Sequence, residues 1–209
     1  MRAQWTGWLL VPVIAASLLA CAGSSSYMKK VGSLQAIAVA TDRATVVFIR
    51  PSGLGFAINF AILDQQGHWV GDAVSESHFA ALLPPGEYMF VAWAENTAAL
   101  KATLGAGRVY YVQVDPAMGA FSARVFLEAL TPRSDDWKKV SGWLKGTNRL
   151  EPLPTGAAYI EGRHIDAMKR VTSANENWVG YTAEEKQRRT LLVEDGILTS
   201  ALPAAAIGP

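Results

Sequence analysis

The sequence predicts a mainly β protein: an antiparallel β-sandwich of about seven strands, followed by short C-terminal helices. Three observations carry this expectation. Between residues 44 and 130, short runs rich in β-branched and aromatic residues are separated by gaps holding glycine or proline. Several of those runs alternate apolar and polar residues with the period of two of a half-buried strand. After Thr131 the signals become helical, with capping residues and apolar positions spaced three and four apart.

The N-terminus is a different kind of segment. Arg2 precedes an apolar run from Trp8 to Ala20, broken only by Pro12 and Ser17. A run of this length is too short to span a bilayer, which takes roughly twenty apolar residues, but it suits the core of an export signal. It ends at Cys21, the single cysteine of the chain, so no internal disulfide can form. Leu18-Leu19-Ala20-Cys21 resembles the lipobox of bacterial lipoproteins. That resemblance implies cleavage of residues 1–20 as a signal peptide and a diacylglyceryl thioether, with further palmitate-type acylation, on Cys21. Two or three chains hold far better than one, since each buried methylene contributes about 0.8 kcal/mol. Ala22 is not the aspartate linked in such proteins to inner-membrane retention, so the implied location is the outer membrane, facing the periplasm. Residues 21–33, with Gly23-Ser24-Ser25-Ser26 and the pair Lys29-Lys30, read as a flexible tether.

The sandwich domain is expected over residues 34–130. Ala44–Arg50 ends at Pro51-Ser52-Gly53, and Phe56–Leu63 ends at Asp64-Gln65-Gln66-Gly67. Glu87–Glu95 follows Pro84-Pro85-Gly86; "YMFVAWA" within it is apolar on both faces, as a central strand covered on each side must be. Leu100, Ala102 and Leu104 oppose Lys101 and Thr103. Gly105-Ala106-Gly107 then turns into Arg108–Val114. Phe121, Ala123, Val125 and Leu127 oppose Ser122, Arg124 and Glu128.

A helical extension packing on the sandwich is expected over 131–198. Ser134 caps a helix whose Trp137, Val140 and Leu144 form one stripe. The stretch "LEPLPTG" is a crossing, "RHIDAMKRV" a second short helix, and Thr182 with Glu185 a capping box before a helix that Asp195-Gly196 ends. Residues 199–209 read as a disordered tail. "ATVVFIRPS", "PPGEYMF", "LGAGRVYYVQV" and "FSARVFLEAL" resemble an uncharacterised family of bacterial envelope domains, which implies a small β-sandwich and no established activity.

Chemistry is sparse. Lys and Arg number 19 against 18 Asp and Glu, a formal charge of +1, and Arg2 is the only charge among the first twenty residues. A neutral body lacks the cationic surface that nucleic acid requires. His68, His78 and His164 show no ligand spacing and read as surface or turn histidines, so no metal or cofactor is expected. Asp72, Ser75 and His78 read as loop polar groups rather than a triad. Asp135-Asp136 offset a helix dipole. Trp93, Trp137, Trp143, Trp178, Tyr110 and Tyr111 are expected to fill the core and the helix–sheet seams. No catalytic residue is assigned. The function expected is a lipid-anchored binding module for an envelope protein or wall component, the alternative being a small wall-modifying hydrolase.

Overall fold

The computed structural model describes residues 23–32, 37–118 and 123–201. The predicted signal peptide, Cys21 and residues 202–209 lie outside them. The protein is mainly β, with two mixed sheets stacked face to face and a few short helices.

The first sheet has seven strands. β1 (Met28–Lys30), β10 (Asn148–Pro152), β5 (Ser77–Leu83), β2 (Ala44–Arg50) and β8 (Arg108–Met118) follow in that order. The far edge of β8 is shared by β9 (Ala123–Leu130) and β12 (Ile197–Leu198). The second sheet runs β11 (Thr190–Leu191), β7 (Thr97–Leu104), β6 (Gly86–Trp93), β3 (Phe60–Leu63) and β4 (Trp69–Ala73). Phe48, Phe79, Tyr110 and Val125 from the first sheet meet Phe60, Ile62, Phe90 and Leu100 from the second in the shared core.

Both sheets are also covered outside. On the second sheet, Leu63, Met89, Val91 and Ala99 pack against Ala167, Val171 and Ala174 of α3 (His164–Gly180) and Ile160 of α2 (Pro154–Glu161). β6 is therefore buried on both faces, as its apolar run predicts. On the first sheet, Val47, Ile49 and Tyr111 lie beneath Val140, Trp137, Trp143 and Leu144, from a 3₁₀ turn (Asp135–Lys139) and α1 (Val140–Gly146). The predicted stripe is the packed one, but it spans two elements, and the Ser134 hydroxyl donates to Thr131 O instead of capping the turn.

Several expectations need correction. The sheets are not purely antiparallel: β2 and β8, β10 and β5, and β11 and β7 pair in parallel. In each case the chain leaves and returns through a crossover, which fixes strand direction without regard to hairpin logic. The described residues hold twelve strands rather than about seven. The tether is shorter than expected, because Met28–Lys30 pairs antiparallel with β10. Residues 131–198 pack helices on the sheets but are not wholly helical, since β10, β11 and β12 join the sheets and pair N–H and C=O groups that would otherwise stand open. "LEPLPTG" is strand β10 running into α2, with Pro154 in the first turn. "RHIDAMKRV" belongs to a helix of 17 residues. The Thr182–Glu185 capping box is present on α4 (Ala183–Arg188), but the helix ends at Arg188. Asp195 instead accepts the Leu192 N–H and pairs with Arg133. In the expected tail, Thr199–Ala201 forms a 3₁₀ turn.

Candidate functional surfaces

Strand registers define two ends of the sandwich. Ala44 pairs with Arg108 at one end of β2, and Arg50 with Ser77 at the other. Gly23 packs at the Arg50 end: a Cβ there would sit 2.5 Å from Phe56 O and 3.2 Å from Ser75 Cβ. Asn59 Nδ2 donates to Ser24 O at 2.7 Å, and Ser25 Oγ donates to Asp72 Oδ2 at 2.6 Å. We call this the proximal end, and the end with the Gly105–Gly107 turn the distal end.

The proximal end is built around Arg50, the largest fully buried side chain. Its guanidinium donates from Nη1 to Ile58 O (2.6 Å) and Ala73 O (3.0 Å), and from Nη2 to Leu54 O and Gly55 O (2.8 Å each). It also lies 4.5 Å from the Phe60 ring centroid. Burial lowers its pKa to about 10, so it keeps its charge at neutral pH. The nine-residue loop 51–59 thus has its inward carbonyls satisfied by one side chain, while Leu54, Phe56 and Ile58 point outward, 44%, 55% and 41% exposed.

Asp72 lies on β4 and His78 on β5 rather than in loops; Ser75 is in the turn between them, and all three are buried. They also do not meet. Asp72 accepts from Ser25 Oγ and Trp69 Nε1, Ser75 Oγ donates to Ser52 O, and His78 Nδ1 contacts Thr147 Oγ1 at 2.8 Å. Thr147 gives its only hydroxyl proton to Trp143 O, so His78 donates from Nδ1. Burial first, and then the charge of Arg149, lowers the His78 pKa to about 4. The expectation of three surface or turn histidines therefore fails for His78, because the ring sits on a strand inside the sheet. His68 is exposed in the β3–β4 turn beside Asp64, and His164 is exposed at the start of α3. Burial also raises the Asp72 carboxyl, against the pull of its two hydrogen bonds. Among the described residues no three His, Cys, Asp or Glu side chains converge as a metal site would require.

Two hollows flank α3. The larger, about 640 Å³, lies on the distal flank between Glu87, Lys101, Thr103, Asn175 and Trp178. Gln65 rims it and is fixed by donating to Glu87 O and accepting from Met89 N–H. The smaller, about 380 Å³, lies on the proximal flank around Trp93. Arg163 and Arg170 sit over that ring at 5.0 and 5.3 Å, with Lys169 and Asp166 beside them. The indoles are half-buried in the seam between α3 and the second sheet, as the aromatic content suggests. Their faces are occupied by cations: Lys101 Nζ lies 5.1 Å from the Trp178 ring, while Tyr181 meets it edge-on. Asp135 and Asp136 open the 3₁₀ turn as expected, with Asp136 paired to Lys139. The buried Arg50 clamp escaped sequence reasoning; an arginine closing an otherwise apolar strand was its only trace.

No protein-family model matches this chain, nor does any curated protein or solved structure. Among the described residues no helix is long and apolar enough to cross a membrane.

Proposed function

We propose that this protein is a lipid-anchored cell-envelope binding module, acylated on Cys21, held on the outer membrane and facing the periplasm. The distal groove is its recognition surface, and an extended segment of another envelope protein is its ligand. One observation carries this reading: the groove beside Lys101 and Trp178 opens about 20 Å along β6 from the end where Gly23 docks, six residues at 3.3 Å each. A partner in the periplasm can reach it while the N-terminus stays at the bilayer. Gln65, Thr103, Asn175 and Thr190 offer the mixed donors and acceptors that a peptide backbone needs. A polysaccharide would instead want an open ring face to stack on, and Lys101 already covers Trp178.

A photo-crosslinking residue at Thr103 in intact cells is expected to capture a protein adduct that the same residue at exposed Lys145, on α1 over the opposite sheet, does not. Equal capture at both sites, or none at Thr103, refutes the groove. Cys21→Ser is expected to abolish metabolic labelling with palmitate; undiminished label refutes the anchor.

A further inference from the structure

The loop between β2 and β3 is costly as it stands. Rigid backbone holds three large apolar side chains, Leu54, Phe56 and Ile58, out of the fold within five residues. Ile58 N–H bonds Gly55 O, Leu54 N–H bonds Ser52 Oγ, and Arg50 ties Leu54, Gly55 and Ile58 down by their carbonyls. Every one of these contacts fixes backbone; none covers the apolar side chains. Exposed apolar clusters of this kind mark surfaces that are covered in use.

The path of the chain indicates what covers them. Gly23 packs on the carbonyl of Phe56. Cys21 is two residues earlier, so its Cα lies no more than about 8 Å from that of Gly23, two Cα–Cα steps of 3.8 Å. Acyl chains on Cys21 would thus be tied to the chain two residues from the glycine that packs on the loop. Interfacial apolar side chains seat about 5–10 Å into the headgroup boundary, a depth that this spacing permits. The same end of the second sheet carries Trp93, which pairs with Ala61, in a hollow lined by Arg163, Lys169, Arg170 and Asp166. Glu95 is exposed in the β6–β7 turn there, and the Glu76 carboxyl lies against Gly53. A tryptophan beside basic groups suits the interfacial layer of a bilayer.

We infer that the loop 53–58 is a membrane-contact element: Leu54, Phe56 and Ile58 insert into the bilayer that holds the Cys21 acyl chains, so that the domain sits directly on the membrane with its distal groove pointing away. This rests on the acylation of Cys21 proposed above, and the test separates the two. In the full chain matured in cells, Phe56→Cys supplies the only free thiol when Cys21 is a thioether. The variant is labelled with an environment-sensitive nitrobenzoxadiazole dye and reconstituted in phosphatidylethanolamine–phosphatidylglycerol vesicles. Asp42→Cys, exposed beyond the distal end of β2, is the reference.

One dye per chain, with emission at position 56 blue-shifted and brightened relative to position 42, is the expected result. One dye with water-like emission at position 56 overturns the membrane contact alone and leaves the loop to a protein occupant. Two dyes per chain show a free Cys21 and overturn the anchor, and the contact with it. Arg50→Lys, which keeps the charge but loses the forked donors, is expected to reduce the blue shift by loosening the loop; an unchanged shift there would remove Arg50 from the element.

Discussion

The two ends of the sandwich solve the same problem by different means. At the distal end β7 turns into β8 through the three residues Gly105–Gly107. Gly107, at φ +63°, donates its N–H to Arg43 O at 2.8 Å, and the Tyr110 hydroxyl takes the Gly105 N–H. At the proximal end the connection from β2 to β3 is nine residues long, and its carbonyls point inward without strand partners. A buried guanidinium supplies what a tight turn obtains from its own N–H groups. The comparison teaches that a long connection between sheets needs a side-chain hub. That hub makes the proximal end dependent on one buried charge, where the distal end rests on a short glycine turn and the Tyr110 hydroxyl.

The strongest way to break this contrast is Arg50→Met. It removes the guanidinium donors from the carbonyls of Leu54, Ile58 and Ala73, and leaves Gly55 O with the Ile58 N–H alone. It is expected to cost about 3 kcal/mol or more in urea unfolding, the usual result of removing one partner from a buried charged network. A cost below about 1 kcal/mol would mean that the loop rehydrates freely.

Next in size is His78, which pairs with Ile49 next to the Arg50–Ser77 pair in the β2–β5 register and is also proximal. Its folded pKa, about 4, lies below the unfolded value near 6.5. The stability it contributes is therefore complete above pH 6.5 and is lost as pH falls towards 4, a change on the order of 2–3 kcal/mol. Asp72, whose pKa is raised, acts in the opposite sense, so the measurement is the difference between wild type and His78→Gln across that window. Identical pH slopes for the two chains would refute the assignment.

The smallest effect belongs to the distal end. Gly107→Ala puts a Cβ 3.2 Å from Thr41 O in the left-handed region and is expected to cost roughly 1–2 kcal/mol. Unlike the His78 effect, this cost should not vary between pH 7 and 5. A pH-dependent cost would show that the two ends are coupled.

How much of this was legible in the sequence differs from element to element. The both-face apolar run of β6 and the Thr182–Glu185 box are patterns within one element and are present as read; the Trp137–Val140–Leu144 stripe packs as read but runs across a 3₁₀ turn and α1. Met28–Lys30, Asn148–Pro152 and Ile197–Leu198 are too short and too mixed to carry a strand period; they become strands because an open sheet edge is waiting for them. Of the candidate surfaces, the rings were visible and the clamp was not. Nothing local distinguishes Arg50 from an exposed arginine at a strand end.

By itself the sequence determined the β-rich body, the central covered strand, the Thr182–Glu185 capping box and a cysteine placed after an apolar run, because each depends on residues that are neighbours along the chain. Only the tertiary structure decided the mixed sheet order, the burial of Arg50, His78 and Asp72, and the meeting of Gly23 with the loop at Phe56. These join segments dozens of residues apart, and their energies depend on what surrounds a group when water has been excluded, which no local pattern records.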